Sequence, residues 1–293
     1  MTTLCELPLR GAGGEPISFA RTIYSHGCAQ LLPAVVDTAP LVYRRRLRLG
    51  NRVVEVALRE LDGKLVAQSS VRLSRRDERT AVATIARMFR LGDDLSPFYA
   101  SIAEDPRLAW AACGAGRILA SPTVFEEVVK TICTTNCAWS ATERMTAALV
   151  ALGEGAFPEP EVLAAAPERW YREAARMGYR AAYVRAIARD VTARRLDLEA
   201  FAERTPSLPD AELEERLLEL PGIGPYGAAH VMQLLGRHRP LVLDSWTRPT
   251  YRRLAGKRSA ADSTIRRAFS RYGAYAGLAF WLYLTRDWID ETA

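Results

Sequence analysis

Residues 220–230 read Leu220-Pro221-Gly222-Ile223-Gly224-Pro225-Tyr226-Gly227-Ala228-Ala229-His230. Apolar residues recur at three- and four-residue spacing on both sides, over 210–219 and 225–236, which predicts two helices. Pro225 suits the first position of the second helix. Glycines leave backbone N–H groups uncovered and a helix N-terminus favours an anion, so the stretch predicts a phosphate-binding turn between helices. A purely structural turn of the same composition is the alternative.

One carboxylate follows this turn. Pro240-Leu241-Val242-Leu243-Asp244 places Asp244 eighteen residues beyond Tyr226, immediately before Ser245-Trp246-Thr247-Arg248. Aspartate is common at helix N-caps, and capping is the structural interpretation of Asp244. A capping carboxylate can still face a groove, so capping and catalysis do not exclude each other.

The turn and the aspartate together carry a resemblance. Residues 220–224 resemble the helix–hairpin–helix motif, which holds a DNA phosphate without reading bases and which ligases, polymerases and junction proteins also use. The hairpin followed by the Leu243-Asp244 step resembles the HhH-GPD DNA glycosylase superfamily, named for its hairpin, its Gly/Pro-rich loop and its aspartate. The resemblance implies an α+β fold. An N-terminal antiparallel β-sheet subdomain, 1–90, would precede an all-helical two-part catalytic core, 91–293, with the hairpin at 218–227.

The hydrophobic pattern, taken alone, predicts the same order of sheet and helices. Short β-favouring runs at Leu41–Leu49, Arg52–Leu58 and Lys64–Leu73 are separated by the turn signals Gly50-Asn51 and Asp62-Gly63. From about Thr80 the spacing becomes helical, and further helices are predicted over 80–91, 123–136, 139–153, 168–176 and 181–204. Ser207 to Asp210 predicts the start of the helix over 210–219.

The charge distribution fits a nucleic-acid partner. The 293 residues include 40 basic and 34 acidic side chains, and only Lys64, Lys130 and Lys257 are lysines. Ten basic residues fall within 237–271 against two acidic ones, a local net charge of +8 that is typical of a surface meeting phosphates. A solvated helix face is the alternative. Hydrophobic residues at 49% and charged residues at 25% exclude a disordered or collagen-like chain.

Two further segments extend the resemblance. Residues 125–133 look like the first helix of the family's catalytic core, and 177–183 resemble the segment in which 8-oxoguanine glycosylases carry residues that enter the duplex. The resemblance implies that Asn136, Tyr179 and Arg180 fill the space of a flipped nucleotide and contact the opposite base. A surface Tyr-Arg pair at a helix start is the alternative. The β-rich start is similar, in layout only, to the sheet subdomain that these enzymes share with 3-methyladenine DNA glycosylase II.

By this resemblance Asp244 acts on the glycosidic bond. Positive charge develops on the sugar as the C1′–N bond breaks, and a carboxylate stabilises that charge and orients or deprotonates a water. Bifunctional relatives place a lysine two residues after the second hairpin glycine, and here that position holds Tyr226. We therefore expect a monofunctional hydrolase of base excision repair that leaves an abasic site.

The resemblance also implies a pocket for the flipped base, formed by Tyr226, His230, Trp246, Phe280 and Trp281. Electron-rich rings favour cationic alkylated purines such as 3-methyladenine by roughly 1–2 kcal/mol when desolvated. The 8-oxoguanine enzymes carry a base-reading glutamine where this chain has Phe280. The residues expected to enter the duplex are nevertheless closer to theirs, so 8-oxoguanine stays the alternative substrate. Core packing is the alternative for Phe280 and Trp281, as a satisfied core histidine is for His230.

Contacts to the DNA backbone are expected at Gly222, Gly224, Gly227, Ser245 and Arg248. The resemblance further implies a monovalent cation, Na⁺ or K⁺, on the backbone carbonyls of Leu218, Leu220 and Ile223. No other cofactor is expected: no cysteine after Cys137 is present to ligate an iron–sulfur cluster, and His26 and His238 have no companions at metal-ligand spacing. The five cysteines form no paired disulfide framework.

The expected partner is double-stranded DNA containing a damaged base, bound by a monomer. The chain has no run of 18 apolar residues and no basic-then-apolar N-terminal pattern, which predicts no membrane attachment. A cytoplasmic location is expected, associated with the nucleoid in a bacterium. One competing hypothesis is a non-catalytic helix–hairpin–helix DNA-binding protein, in which Asp244 only caps a helix and the aromatic residues only pack a core. A glycosylase degraded to a lesion sensor would carry the same motifs.

Overall fold

A computed structural model describes residues 1–203 and 208–289 of the chain. Its N-terminal part contains a five-stranded antiparallel sheet with the strand order β1-β5-β4-β3-β2. The strands are β1 (Thr2–Pro8), β2 (Ala34–Thr38), β3 (Leu41–Leu49), β4 (Arg52–Leu61) and β5 (Lys64–Ser69). Asp62 and Gly63 join β4 to β5 with φ of 50° and 70°, the left-handed backbone that a two-residue hairpin of right-handed twist requires.

The rest of the described chain is mainly helical. The α-helices are α1 (Phe19–Ile23), α2 (Arg75–Met88), α3 (Ser96–Ile102), α4 (Val124–Thr134), α5 (Trp139–Leu152), α6 (Pro160–Ala165), α7 (Arg180–Thr192), α8 (Asp210–Leu218), α9 (Pro225–Leu234), α10 (Thr247–Leu254), α11 (Asp262–Phe269) and α12 (Ala276–Thr285). Short 3-10 helices span Gly27–Gln30, Ala109–Cys113, Glu199–Ala202, Ser270–Tyr275 and Arg286–Trp288, and one π-helical turn spans Trp170–Ala174.

One face of the sheet packs against α1 and α2. Phe19 of α1 stacks on Phe89, which directly follows α2, with ring centroids 5.8 Å apart. A buried ion pair then links the sheet to the helical part, because Arg45 of β3 donates to Glu126 of α4 at 2.6 Å. Lys130 of α4 shares the same carboxylate at 2.7 Å, so the two cations and their common anion are held between the layers.

The helical part has two hydrophobic clusters. One is built mainly from α4, α5, α7, α8 and α9, and the other from α3, α10, α11 and α12. Helix α9 contributes to both, with Val231 in the first cluster and Leu234 in the second. The turn before α9 and the segment after it, which ends in Asp244, therefore lie where the two halves of the helical core meet.

The structure confirms the α+β fold and the two-part helical core, and it changes the bounds of several predicted strands and helices. The predicted strand Arg52–Leu58 continues to Leu61, whereas Lys64–Leu73 ends at Ser69. The predicted helix over 168–176 is only the π-helical turn, and the one over 181–204 ends as an α-helix at Thr192. The predicted start at Ser207 lies outside the described residues, and the division of the chain at residue 90 stays a prediction. No helix within 1–203 or 208–289 has the length and apolar character to cross a bilayer.

Candidate active site

The Asp244 carboxylate is fixed by the start of α10. Its Oδ1 accepts hydrogen bonds from the backbone N–H groups of Trp246 at 2.8 Å and Thr247 at 2.6 Å. In return, the Thr247 hydroxyl accepts the Asp244 N–H at 2.8 Å. Oδ2 accepts no hydrogen bond from any described residue. The half-buried side chain thus has one oxygen that orients it and a second that is available to a substrate.

The turn before α9 places Tyr226 within electrostatic range of this carboxylate. Gly222 has a φ of 85°, and a Cβ there would lie 2.5 Å from the Tyr183 ring, so both the conformation and the close approach require glycine. Pro225 occupies the first turn of α9, and Tyr226 follows it. Burial, and to a smaller extent the Asp244 charge, raises the pKa of the Tyr226 hydroxyl well above its usual range. That hydroxyl also lies 3.3 Å from the hydroxyl of Thr134.

Aromatic contacts connect Tyr226 to the N-terminal part of the chain. The Tyr226 ring stacks on His230, one helical turn later, with centroids 6.1 Å apart and an interplanar angle of 13°. His230 meets the edge of His26, with centroids 5.7 Å apart. His26 adjoins Ser25, whose carbonyl accepts the indole N–H of Trp281 at 2.7 Å. Helix α9, which follows the hairpin turn, and helix α12 therefore both contact residues 25–26.

Trp281 is connected to Asp244 through Trp246. Its indole lies 5.8 Å from that of Trp246, and Trp288 packs against both, at 5.7 and 5.4 Å between centroids. Trp246 donates its backbone N–H to Asp244, so the series of contacts that begins at Tyr226 ends at this carboxylate. We call this set the aromatic cluster; its members are Ser25, His26, Tyr226, His230, Asp244, Trp246, Trp281 and Trp288. It contains one carboxylate and six aromatic rings.

The two histidines of the aromatic cluster are uncharged at neutral pH. Burial, aided by the neighbouring His230, lowers the pKa of His26 to about 3. Burial lowers the pKa of His230 to about 4. The imidazoles therefore add no positive charge beside Asp244 and offer neutral hydrogen-bonding groups instead.

Phe280 does not belong to this cluster. It is fully buried in the second helical core, where it contacts Phe269 and Tyr251 at centroid distances of 5.2 and 6.2 Å. Its neighbour Trp281 is turned toward Ser25 and the other tryptophans. Phe280 thus has the core environment that was its structural alternative, whereas Trp281 lies in the aromatic cluster, and its place in a base pocket stays a prediction.

Asn136 and Tyr179 contact each other on the surface. The Asn136 amide donates to the Tyr179 hydroxyl at 3.4 Å, and Tyr179 is 52% exposed. Asn136 has a φ of 46°, a left-handed conformation that asparagine tolerates better than most residues. Arg180 is buried instead. It donates to the Thr135 carbonyl and lies 4.6 Å from the Tyr179 ring, so in this structure it supports the exposed pair, and its contact with an opposite base stays a prediction.

The residues expected to contact the DNA backbone differ in their availability. Gly224 and Ser245 are exposed, and nothing lies within 4 Å of a Cβ built on Gly224. Gly227 is buried against Ile223 and Thr131. Arg248 makes a bidentate ion pair with Asp262, at 2.8 Å for both bonds. Several other cations of the 237–271 segment are exposed and make no ion pair with a described residue: Arg253, Lys257, Arg258, Arg266 and Arg267.

The expected cation site at the hairpin has suitable chemistry. The Leu220 carbonyl accepts the Ile223 N–H at 3.1 Å and keeps a second lone pair. Rings of backbone carbonyls are the ligands that monovalent cations take in proteins. Whether Leu218, Leu220 and Ile223 hold Na⁺ or K⁺ stays a prediction.

Sequence reasoning did not find Ser25, His26 or Trp288 as members of the cluster. His26 and Ser25 lie about 200 residues before the hairpin and no motif surrounds them. Trp288 follows Trp281 by seven residues, a helical spacing that would have suggested a shared face. A separate surface cavity of about 840 Å³ lies elsewhere, lined by residues such as Arg87, Arg90, Asp93, Glu199 and Arg237, and contains no member of the aromatic cluster.

Comparison with known proteins places this geometry in context. The family described as HhH-GPD superfamily base excision DNA repair protein matches residues 129–278. A 3-methyladenine DNA glycosylase from Archaeoglobus fulgidus superimposes with a TM-score of 0.74 at 22% identity, covering 97% of this chain and 99% of that one. An 8-oxoguanine glycosylase/lyase from Clostridium acetobutylicum, in its apo form, gives a TM-score of 0.69 at 20% identity over 93% and 94% of the two chains. The same enzyme bound to double-stranded DNA with cytosine opposite 8-oxoguanine gives 0.69 at 20% identity over 92% of each chain. No curated protein sequence gives a significant match. At these identities the solved structures establish a shared fold.

Proposed function

Because the chain belongs to the HhH-GPD superfamily of base excision DNA repair proteins, we propose that it is a monofunctional DNA glycosylase for alkylated purines such as 3-methyladenine. The observation that carries this proposal is Asp244, whose carboxylate is held by the start of α10 with one oxygen left over. It accepts the backbone N–H of Trp246, whose ring packs against those of Trp281 and Trp288. A protein that only binds DNA would not require a carboxylate held in this way next to the tryptophans.

In the proposed reaction, the damaged nucleotide is flipped out of the duplex and its base enters the space beside the aromatic cluster. The C1′–N bond breaks, and the base leaves with the bonding electron pair. Asp244 stabilises the positive charge that develops on the sugar. Water attacks C1′ and gives a proton to the Asp244 carboxylate, which leaves an abasic site.

Water is the proposed nucleophile because no lysine is well placed to replace it. The position that bifunctional relatives fill with lysine is Tyr226. Lys130 is buried and bound to Glu126 at 2.7 Å, and Lys64 pairs with Glu6 at 2.9 Å on the sheet. Lys257 is exposed and lies three residues after the end of α10. An amine attack on C1′ would require one of these to leave its surroundings.

The substrate class is proposed from the electrostatics of the aromatic cluster. Tyr226, Trp246 and Trp281 present electron-rich rings, and the histidines beside them are neutral. A cationic alkylated purine gains roughly 1–2 kcal/mol from desolvated aromatic faces, which a neutral purine does not. The carboxylate of Asp244 adds attraction of the same sign.

The second candidate substrate is 8-oxoguanine. It is favoured by the exposed pair of Asn136 and Tyr179 backed by Arg180, which stands where the resemblance places the duplex-entering residues of 8-oxoguanine glycosylases. These residues act on the DNA around the lesion, whereas the aromatic cluster would contact the base itself. We therefore give the cluster more weight in assigning the substrate.

A panel of duplexes, each with one modified base, tests the proposal. Each duplex is incubated with the protein and then treated with alkali, which cleaves the strand at an abasic site. Strand cleavage at 3-methyladenine or another cationic purine, and only after alkali, is the expected result. Excision of 8-oxoguanine alone would reverse the substrate assignment, and tight binding without excision of any base would favour the non-catalytic hypothesis.

A further inference from the structure

Three potential metal ligands lie close together, and one of them stacks on the Tyr226 ring. They are His26, Cys28 and His230, and each contributes one ligand atom to a group in which all the atoms lie within 4.8 Å of one another. His26 and Cys28 flank the start of the 3-10 helix Gly27–Gln30, whereas His230 lies on α9, about 200 residues later. The fold alone brings the three together, since no sequence spacing predicts such a group.

The hydrogen bond of His26 fixes its tautomer. Nε2 lies 2.8 Å from the Leu119 carbonyl oxygen, and a carbonyl can only accept, so Nε2 carries the proton. Nδ1 then presents a lone pair. It is buried and has no hydrogen-bond partner among the described residues. A histidine that donates one ring N–H to a backbone carbonyl and leaves the other nitrogen bare is the usual arrangement of a metal ligand.

His230 also has a ring nitrogen without a partner. Its side chain is 8% exposed, and Nε2 is buried without a partner in the described part of the chain. Native proteins rarely leave buried polar atoms unsatisfied, because each such atom gives up its hydrogen bonds to water on folding. His26 and His230 each offer an unpartnered ring nitrogen and Cys28 lies close by with a thiol, which together make a donor set for one shared ligand.

We propose that His26, Cys28 and His230 form a binding site for a divalent transition metal, with Zn²⁺ as the ion best matched to two imidazoles and a thiolate. Bound zinc lies about 2.0–2.1 Å from nitrogen and 2.3 Å from sulfur at tetrahedral angles, so its ligand atoms are about 3.3–3.6 Å apart. The ligand atoms lie within 4.8 Å of one another, so they would draw together by up to about 1.5 Å around the ion. Three protein ligands leave a fourth position for solvent or a small ligand.

The surroundings are compatible with such an ion. Both imidazoles are neutral, the form that binds metal, because burial lowers the pKa of each. Burial raises the pKa of the Cys28 thiol to about 11, so the metal displaces a proton on binding. The nearby Lys130 is paired with Glu126 at 2.7 Å, a carboxylate that it shares with Arg45, so one net positive charge remains close to the site. The absence of such a metal, expected from sequence spacing, stays a prediction that this proposal opposes for these three residues.

The metal would join the N-terminal segment to the hairpin helix. It would also hold the plane of the His230 ring, against which Tyr226 stacks. The site shares His26 and His230 with the aromatic cluster, but its metal loading can be measured without DNA, separately from the proposed glycosylase reaction.

Titration of the full chain with Co²⁺, followed by displacement with Zn²⁺, tests the site. Cobalt bound to a thiolate gives a charge-transfer absorption, which should appear with one equivalent of Co²⁺ and disappear with Zn²⁺. Cys28→Ser should abolish the absorption, and Cys113→Ser, a matched change at an exposed thiol, should retain it. His26→Gln should weaken binding by at least about tenfold. Absorption that is absent from the unmodified protein, or unchanged in Cys28→Ser, would overturn the proposal.

A measurement on the unmodified protein keeps the test decisive if a variant fails to fold. Crystals soaked in a zinc salt and measured at the zinc absorption edge should show anomalous density between His26, Cys28 and His230. Density only at other places, or none, contradicts the proposal. If the protein binds zinc there but excises no base, the metal site is supported and the proposed function fails. If it excises a base but binds no zinc there, the proposed function is supported and the metal site fails.

Discussion

Asp244 and Thr247 hold each other by two reciprocal hydrogen bonds. The Thr247 N–H donates to the Asp244 carboxylate at 2.6 Å, and the Asp244 N–H donates to the Thr247 hydroxyl at 2.8 Å. Thr247 is fully buried, so neither bond is exchanged easily for one with water. The helix start thereby sets the direction of the carboxylate, which is the geometric basis of the proposed chemistry.

Thr247→Val removes the hydroxyl and keeps the side-chain shape. The Asp244 N–H then loses its partner, which should cost about 1–3 kcal/mol of unfolding free energy. Loosening the carboxylate should slow single-turnover excision by about 10- to 100-fold while leaving the DNA dissociation constant unchanged. Thr247→Ser restores the acceptor and should recover most of the rate. Equal excision rates in the valine and threonine proteins would show that this pair does not position Asp244.

Tyr226→Lys should introduce an amine where bifunctional relatives carry theirs. The unmodified protein is expected to form no covalent complex with damaged DNA in borohydride, because its nucleophile is water. The lysine variant, with its amine near Asp244, should be trapped, whereas Tyr226→Phe should not. Gel electrophoresis of borohydride-treated complexes reads out the result. Trapping of the unmodified protein would contradict the monofunctional assignment and make Lys130 the first lysine to replace.

Tyr179→Ala should impair the handling of damaged DNA without changing stability. The ring is 52% exposed, and substitutions at such sites change the unfolding free energy by about 0.5 kcal/mol or less. Loss of an intercalating ring should lower the affinity for a lesion-containing duplex more than for an undamaged one. Tyr179→Phe keeps the ring, loses the hydroxyl that Asn136 contacts, and should retain lesion affinity. A parallel loss of affinity for both duplexes in the alanine variant would remove Tyr179 from the proposed wedge.

Glu127 should make the protein less stable as the pH rises toward neutrality. Burial raises its pKa to about 7 from 4.5, although Arg87 and Arg90 favour the charged form and the backbone N–H of Ser121 donates to it; Glu126 adds a smaller repulsion. The unfolded chain releases this proton above pH 4.5, while the folded protein keeps it until about pH 7. The stabilising contribution is therefore complete below pH 4.5 and is lost as the pH rises through 7.

Glu127→Gln should remove this dependence. Urea unfolding at pH 5 and pH 8 measures it, and the unmodified protein should lose up to about 3 kcal/mol more than the variant between these values. Glu168→Gln, at an exposed carboxylate, should behave like the unmodified protein. Identical pH profiles for Glu127→Gln and the unmodified protein would show that Glu127 is ionised in the fold throughout.

Local signals predicted the elements that local interactions specify. Gly50-Asn51 and Asp62-Gly63 determine hairpins within a few residues, so β3, β4 and β5 were found close to their observed bounds. Strand β1 was missed because its pairing is non-local: Thr2 pairs with Ser69 across the whole sheet subdomain. Helix α2 begins at Arg75, earlier than predicted, because its first turn is polar and shows no apolar periodicity.

Side-chain placement was harder to predict than motif position. Helix α12 is apolar almost all round, so its sequence does not distinguish Phe280, which packs in the core, from Trp281, which joins the aromatic cluster. Arg180 follows an exposed tyrosine but is drawn inward by the Thr135 carbonyl. His26 reaches the hairpin helix only through tertiary packing. These outcomes depend on contacts between segments far apart in sequence, which periodicity and spacing do not encode.

The central claim is that the Asp244 charge drives excision, and Asp244→Asn tests it most directly. The asparagine oxygen can still accept the Trp246 and Thr247 N–H groups, so the helix start and the fold should be retained. Single-turnover excision of 3-methyladenine should fall by at least about 100-fold while lesion binding persists. Asp190→Asn, at a partly exposed carboxylate on α7, serves as the matched control and should excise normally. Excision by Asp244→Asn at the rate of the unmodified protein would contradict the account.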